Sequence, residues 1–379
     1  MRVIFFAYLC NMKYVGIRYA SAARFAQPVA EPDPKSISDI ECRKIVCPQS
    51  LSRLANVMGK GSETVEQGED CLRLSVFTPA PDDQKRPVLV FIHGGAYLTG
   101  SAMDPYYDAS QLAAEHDIVV VCISYRLGAF GLLYLPEHQA VNLAMEDQLC
   151  ALRWIRRNIH LFGGDADRIT LMGQSAGGHS ILHHIATQTH PLFAQAIICS
   201  SPYLSLSKRT MQRRTREFLQ ILGENPREAS IENILRAQRQ MLCNHQHMLP
   251  FAPVAPHLAA PIHTIPGLRS VLLTCQQDDA SPFVPHWLQP LATRLVFHHP
   301  MLRYARRLAK AGIPTHTRVL SWRHGATAFG ASHCLELPLL FGNWDTWKDA
   351  PYLKGVTLDE YSQEAKAMKQ WVADYVKRL

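Results

Sequence analysis

Residues 167–178 read DRITLMGQSAGG, an apolar run followed by a serine between small residues. Gly173 and Gly177 bracket Ser175 in the spacing Gly-x-Ser-x-Gly. The apolar run predicts a buried strand, and the residues after the serine predict a helix. At so sharp a turn the serine adopts strained backbone angles and its neighbours must lack bulk. The pattern predicts a nucleophilic serine; the alternative is a serine that only fills a tight turn.

A second loop, FIHGGAYLTG at 91–100, also follows a predicted strand. Acyl transfer builds negative charge on a carbonyl oxygen, which backbone N–H groups can stabilise. We expect these donors to be Gly95 and Ala96, joined by Ala176 at the start of the helix after the serine. A tight turn would explain the glycines, but it gives no reason for His93 ahead of them.

Apolar runs alternate with helical stretches along most of the chain, which predicts an α/β protein with a mostly parallel sheet. The runs predicted as strands are 87–93, 117–125, 168–175, 194–201, 269–275 and 314–322. The stretches predicted as helices are 107–116, 144–162, 177–187 and 358–379.

The composition fits a globular protein, with 379 residues of which 47% are apolar and 19% charged. The net charge is +7, and the densest basic cluster lies at 207–219. We expect a solvated helix face or loop there; attraction of anionic substrates or lipid headgroups is the alternative. The sequence has no long basic block with interleaved aromatic residues, so it does not indicate nucleic-acid binding. No run reaches the roughly 20 apolar residues of a membrane span.

The short apolar run RVIFFAYL at 2–9 weakly resembles a signal peptide and fits a strand equally well. We therefore expect a cytoplasmic protein, with a secreted or periplasmic one as the alternative. The ten cysteines are too few for a disulfide scaffold in a chain of this length, and their spacing does not indicate zinc.

Several longer segments carry a family resemblance. The chain resembles the type-B carboxylesterases, which include cholinesterases and bacterial para-nitrobenzyl esterases. The resemblance implies a single α/β-hydrolase domain over 1–379, with helices on both faces of the sheet. The matching segments are 14–28, 68–79, 87–97, 123–133, 142–178 and 330–342.

The resemblance also assigns the partners of Ser175, because this fold supplies its triad in the chain order Ser, acid, His. His333 in GASHCLELPLLFG is similar to the family's catalytic histidine. Aligning DDASPF with the family's acid loop places Asp279 where glutamate is usual, and Asp278 is the alternative. The histidines predicted to be surface or core residues are His179, His183, His184, His298 and His299.

The chain departs from the family pattern at several points. The intervals are 104 residues from 175 to 279 and 54 from 279 to 333, shorter than in the family. Gln174 replaces the glutamate common before the serine, and Pro256 and His257 stand where Asp-Gly is frequent. We expect reduced cap subdomains, with a shortened cap around 203–268, and a more open pocket.

The family's disulfide falls on Cys71 in EDCLRL, and Cys47 in VCPQS resembles its partner. A bridge between them would imply an oxidising compartment. Two free thiols are an equal alternative, and Cys42 is a competing partner for Cys71.

Together these features predict a serine carboxylic-ester hydrolase that acts through an acyl-enzyme on a small-molecule ester. Neither a metal nor an organic cofactor is expected. One alternative is a catalytically inactive binding protein on the same fold. Another is a hydrolase of amides, thioesters or lactones that uses the same residues.

Overall fold

An eight-stranded sheet forms the centre of the computed structural model, which describes residues 12–59, 65–136, 140–187, 192–204, 206–245, 249–254, 262, 265–324 and 327–379. The strands are Met12–Arg18 (β1), Arg73–Thr78 (β2), Arg86–Ile92 (β3), Val119–Ile123 (β4), Gly164–Gln174 (β5), Gln195–Cys199 (β6), Ser270–Gln276 (β7) and Thr315–Leu320 (β8).

The sheet order is β1-β2-β4-β3-β5-β6-β7-β8. The pairings β1–β2 and β2–β4 at one edge are antiparallel, and the other five are parallel. The chain therefore has the α/β-hydrolase architecture with a mostly parallel sheet. In such a sheet the loops after the parallel strands meet at one edge, which is where ligands bind in α/β folds.

The sheet is covered on both faces, as its strand sequences require. In β3, Val88, Val90 and Ile92 pack into one hydrophobic cluster, whereas Leu89 and Phe91 pack into the other on the opposite face. Each fully buried side chain of this kind contributes about 1.5–3 kcal/mol relative to exposure in water. The two clusters fix β3 and its neighbours, and so fix the loops at their ends.

Helices fill the intervals between strands. The α-helices are Ala55–Met58 (α1), Ser110–His116 (α2), Gly128–Leu132 (α3), Leu143–Asn158 (α4), Ala176–Thr187 (α5), Lys208–Leu222 (α6), Ile231–His245 (α7), Gln289–Thr293 (α8), His299–Lys310 (α9), Glu336–Phe341 (α10), Trp344–Trp347 (α11) and Leu358–Val376 (α12). A π-helix, Arg294–His298, joins α8 to α9. Shorter 3-10 helices are Ile37–Asp39, Pro105–Tyr107, Ile159–Phe162, His286–Leu288 and Pro351–Leu353.

The six apolar runs predicted as strands are confirmed as β3 to β8. β5 begins earlier than predicted, at Gly164 instead of Arg168. The helix predicted over 107–116 begins only at Ser110, because Pro105–Tyr107 form a separate 3-10 turn. The apolar run at 2–9 and the Pro256–His257 departure lie outside the described residues.

The basic stretch 207–219 forms most of α6, which is one of the two structures predicted for it. Arg214 is an exception to its predicted solvation, because it is buried and its Nη1 donates to the carbonyls of Leu249 (2.7 Å) and Pro250 (3.0 Å). The single domain and the shortened cap around 203–268 stay predictions. In the described part of the chain, no helix combines the length and apolar character needed to span a bilayer.

Candidate active site

Ser175 lies at the turn between β5 and α5, with its φ angle at +55°. Its backbone N–H donates to the Cys199 carbonyl at 2.9 Å, which anchors the turn to β6. A Cβ atom on Gly173 would overlap the backbone of Gly177, and one on Gly177 would overlap the Ile92 carbonyl. The turn therefore requires glycine on both sides, as the Gly-x-Ser-x-Gly pattern predicts.

The loops after β7 and β8 bring Asp279 and His333 together. The Nδ1 of His333 lies 2.7 Å from Asp279 Oδ1, and both side chains are buried. Asp279 Oδ2 also accepts from Ser200 Oγ at 2.9 Å and from the Gln276 N–H at 2.8 Å. These three hydrogen bonds fix the position of the buried carboxylate.

Asp278, the alternative acid, faces a different way. Its Oδ2 accepts from the Ala331 N–H at 2.9 Å, and its own N–H donates to the Ala331 carbonyl at 2.9 Å. Its only described ion pair is with Arg323, at 3.9 Å. Asp278 therefore holds the backbone of the histidine loop, whereas Asp279 contacts the imidazole itself.

The other imidazole nitrogen of His333 lies beside the nucleophile turn. Its Nε2 is 3.2 Å from Gln174 Nε2, in the residue directly before Ser175. Among the described residues, no hydrogen bond joins Ser175 Oγ to His333. Hydrogen bonds between catalytic groups are often long without substrate and shorten in the complex, so this arrangement is compatible with catalysis.

The pKa of His333 is set by opposing effects. Burial lowers it, whereas Cys334 and Asp279 raise it, and the net pKa lies well above the usual value. Burial also raises the pKa of the Cys334 thiol, so that thiol is neutral near pH 7. We therefore attribute the stabilisation of the imidazolium to the Asp279 carboxylate.

Glu336 is a second buried carboxyl group close to this pair. Its Oε2 accepts from Gln276 Nε2 at 2.6 Å, and its Oε1 has no partner in the described part of the chain. Burial, followed by repulsion from Asp279, raises the pKa of Glu336 to about 7. Glu336 thus shares the buried region of Asp279, and its own protonation state changes near pH 7.

The Gly95 loop has three consecutive residues in the left-handed region: Gly95 (φ +95°), Ala96 (φ +56°) and Tyr97 (φ +61°). Within the described residues, the amide groups of Gly95, Ala96 and Ala176 donate no hydrogen bond. A Cβ on Gly94 would come within 3.2 Å of Ser175 Cβ, so this loop lies directly against the nucleophile turn. Unpaired N–H groups beside a serine can stabilise an oxyanion.

Buried side chains hold this loop in place. Tyr97 OH is 2.8 Å from His179 Nδ1 and 3.2 Å from Ser180 Oγ on α5. His93 stacks on Tyr125 with ring centroids 4.5 Å apart, and burial lowers its pKa to about 4. His93 is therefore a neutral packing residue, which answers why a histidine precedes the glycines.

The other histidines predicted to be non-catalytic have structural contacts or lie at the surface. His184 Nε2 is 2.9 Å from Gln148 Oε1, and His298 Nε2 is 3.0 Å from the Gln276 carbonyl. His183 is buried in α5, and exposed His299 accepts from Arg294.

Cys47 and Cys71 are both buried free thiols in this structure. Cys47 Sγ accepts from the Leu127 N–H at 3.2 Å. Its hydrogen bond with Cys71, together with burial, raises the pKa of the Cys71 thiol well above its usual value. Cys47 is therefore the thiol that contacts Cys71, whereas Cys42 lies at the surface. Whether the pair oxidises to a disulfide stays a prediction.

Sequence reasoning missed the contacts of Ser200, Gln174 and Glu336. Ser200 has a φ angle of +47° and follows β6, at the same sheet edge as Ser175 and Asp279. Polar residues at the carboxyl end of a central strand were the available signal. Gln174 was noted as a departure from the family, but its contact with His333 depends on a side-chain direction that the sequence does not reveal.

Comparisons with known proteins find relatives of this chain among esterases and related hydrolases. The model of the carboxylesterase family matches residues 10–264. The chain is 36% identical to a Rhodococcus erythropolis protein named "Probable N-octanoylanthranilate hydrolase", over 95% of this chain and 88% of that protein. It is 37% identical to the para-nitrobenzyl esterase of Bacillus subtilis, over 60% of this chain and 49% of that protein. A solved para-nitrobenzyl esterase superposes with a TM-score of 0.84 at 28% identity, over 97% of this chain and 87% of the other.

Proposed function

The chain belongs to the carboxylesterase family and is a carboxylic-ester hydrolase, and we propose that Ser175, His333 and Asp279 perform the reaction through an acyl-enzyme. The single observation that carries the proposal is the buried contact of 2.7 Å between His333 Nδ1 and Asp279 Oδ1. This contact directs the opposite ring nitrogen towards the turn that holds Ser175.

In the first half of the proposed reaction, Ser175 Oγ attacks the ester carbonyl and His333 Nε2 accepts its proton. Asp279 holds the ring in the required tautomer and stabilises the imidazolium. The carbonyl oxygen becomes negative and receives hydrogen bonds from the N–H groups of Gly95 and Ala96 and from that of Ala176. His333 then protonates the departing alcohol, which leaves an acyl group on Ser175.

In the second half, His333 activates a water molecule that attacks the acyl carbon, and the acid is released. The reaction as proposed uses neither a metal nor an organic cofactor. For either half to occur, the contact between the Gln174 amide and His333 Nε2 must break. His333 Nε2 can then accept a hydrogen bond from Ser175 Oγ or from water. In the proposed reaction the Gln174 side chain rotates away from His333, while its backbone stays in β5.

The proposal is tested by hydrolysis of para-nitrophenyl esters with acyl chains from acetate to octanoate. We expect Ser175→Ala to lower kcat by about 10⁴-fold or more, as for other triad nucleophiles. The matched control is Ser201→Ala, because Ser201 is a buried serine on the loop after β6 whose Oγ, among the described residues, donates its one hydrogen bond to the Pro202 carbonyl. Full activity in Ser175→Ala would reject the proposed nucleophile, and no activity in the wild-type protein would favour the inactive binding protein.

A second candidate function is hydrolysis of an N-acyl anthranilate, which is an aryl amide. The observation that favours it is the similarity to the N-octanoylanthranilate hydrolase, which extends over 95% of this chain. The same triad can cleave amides, with His333 protonating the departing amine. We expect release of anthranilate from N-octanoylanthranilate, detected by chromatography and abolished in Ser175→Ala. If only esters turn over, this candidate is rejected and the esterase mechanism is unaffected.

A further inference from the structure

An exposed apolar stripe follows the helical segment that runs from the 3-10 helix His286–Leu288 to the end of α9. Trp287 is 76% exposed, Leu291 55% and Leu295 57%, and these three residues recur every four positions. Leu302, which is 39% exposed, continues the stripe into α9. Residues one turn apart share a helix face, so these four side chains form one surface, named here the apolar stripe.

The opposite face of the same segment packs into the core. Buried there are Thr293, Phe297, Met301, Tyr304 and Leu308. The orientation of the segment is therefore fixed, and the apolar stripe cannot turn inwards. A contiguous exposed patch of large apolar side chains is unusual on a monomeric protein and indicates a surface that binds something.

Basic side chains accompany the apolar stripe. Arg294, Arg303, Arg306 and Lys310 are exposed, and none of the four forms an ion pair with a described carboxylate. No residue from 280 to 335 is Asp or Glu. Apolar residues beside Lys and Arg, with Trp at the edge, are typical of helices that lie in the headgroup region of a membrane.

A cavity of about 410 Å³ adjoins the start of the stripe. His286 lines it directly before Trp287, with Arg323 and His324 on the strand side and Asp278 near Arg323. The cavity thus places hydrogen-bond donors for a headgroup next to Trp287. Asp278 lies 3.9 Å from Arg323, and Glu360 lies 3.7 Å from His324, so the surplus of positive charge belongs to the stripe and not to the cavity.

From this combination we propose that the helical segment 286–310 docks the protein onto an anionic lipid surface, with the apolar stripe inserted between headgroups. A second copy of this chain is a poorer occupant. Two copies related by a two-fold axis would bring the same unpaired basic residues together, at a cost in repulsion. An anionic surface covers the apolar side chains and also compensates the charge.

The docked surface adjoins the candidate active site. Phe283, which is 40% exposed, lies four residues before Trp287 and contacts the His333 ring with centroids 5.1 Å apart. Phe297, on the buried face of the same segment, contacts the His333 ring at 5.5 Å. Docking would thus bring His333 and the candidate active site close to the interface, where lipophilic esters concentrate. This last consequence rests on the proposed esterase function; the docking does not.

The test is co-sedimentation of the full-length protein with phosphatidylcholine vesicles that contain about 30% phosphatidylglycerol, since anionic lipid attracts basic residues. We expect binding to these vesicles, little binding to pure phosphatidylcholine, and weakening by salt. The variant Trp287→Ser/Leu291→Ser/Leu295→Ser should reduce the partition coefficient by about tenfold or more. The matched control Leu51→Ser/Leu358→Ser removes side chains that are 68% and 52% exposed elsewhere, and it should bind like the wild type.

A second pair of variants distinguishes the effect of the basic residues beside the apolar stripe from the effect of the net charge of the protein. Arg294→Gln/Arg303→Gln/Arg306→Gln should weaken binding by about tenfold or more, because each basic residue near the surface contributes. The control with the same net charge neutralises exposed basic residues of α6, as Lys208→Gln/Arg209→Gln/Arg213→Gln, and should bind like the wild type.

Several outcomes would overturn the docking proposal. The first is failure of the wild-type protein to bind anionic vesicles, and the second is an equal loss of vesicle binding in a stripe variant and in its control. The third is a wild-type dimer in sedimentation velocity that dissociates in the stripe variant, while neither protein binds vesicles. The single variant Trp287→Ser serves if the triple variant does not fold, and it should still weaken binding. Hydrolysis of a water-soluble para-nitrophenyl ester should stay unchanged in all these variants, so loss of docking is distinguishable from loss of catalysis.

Discussion

Replacing Glu336 with Gln should make the protein more stable at alkaline pH. In the folded protein, burial and the nearby Asp279 carboxylate raise the pKa of Glu336 to about 7, against an ordinary value of 4.5. The unfolded chain therefore releases this proton at a lower pH than the folded one. The folded state holds more protons between these two values, so its stability falls as pH rises from 4.5 to 7 and stays low above.

The magnitude follows from the two pKa values. A shift of about 2.5 units at about 1.4 kcal/mol per unit gives a loss of about 3 kcal/mol between acid and alkaline pH. The Gln side chain keeps the size and carries no charge at any pH, so the variant escapes this loss. It keeps an amide that can pair with Gln276, which holds Glu336 Oε2 at 2.6 Å.

The assay is urea unfolding of the wild type and of Glu336→Gln at pH 5 and pH 8, read as the free energy of unfolding. We expect the variant to gain about 2.5 kcal/mol relative to the wild type between the two pH values, because part of the full loss falls below pH 5. Glu232→Gln, at an exposed glutamate of α7, is the control and should show no such gain. Parallel pH dependence in the wild type and in Glu336→Gln would refute a raised pKa of Glu336 in the folded protein.

Three further predictions concern the proposed triad. Asp279→Asn should lower kcat by about 10⁴-fold, because the imidazole loses its tautomer and its counter-charge. Asp278→Asn should cost less than about tenfold, because that carboxylate contacts the loop backbone and not the ring; equal losses in steady-state kinetics would contradict the assignment of the acid. The kcat/KM of the wild type should rise through a pKa above 6.5, because Asp279 raises the pKa of His333 and the base must be unprotonated; a limb at or below 6.5 would count against this. Gln174→Glu places a carboxylate at the 3.2 Å contact with His333 and should move that limb to higher pH, and an unmoved limb would show that residue 174 does not face the ring in solution.

The central strands and the nucleophile turn could be predicted from sequence because their causes are local. Buried parallel strands need continuous apolar runs, and the strained turn at Ser175 needs glycine at 173 and 177. The edge strand β1 and its neighbour β2 were not predicted from such runs. Their pairings are antiparallel, and their register depends on partners more than 40 residues away, as in the pairings of Met12 with Thr78 and of Phe77 with Val120.

The choice between Asp278 and Asp279 shows where sequence reasoning ends. Both follow β7, one residue apart, and both hold the loop that carries His333, one through its backbone and one through its ring. Their directions depend on the packing of two loops that are distant in sequence. The same limit applies to helices α7 to α9, whose apolar residues face a core that the sequence alone does not locate.

The most direct measurement is labelling with a fluorophosphonate probe, followed by mass spectrometry of the digested protein. If an activated serine lies in one hydrogen-bonded row with an imidazole and a carboxylate, the folded wild-type protein should gain a single phosphonyl group on Ser175, with loss of fluoride. The adduct should be absent in Ser175→Ala and strongly reduced in His333→Ala. A folded wild-type protein that stays unlabelled, or an adduct on another residue, would contradict the proposed active site.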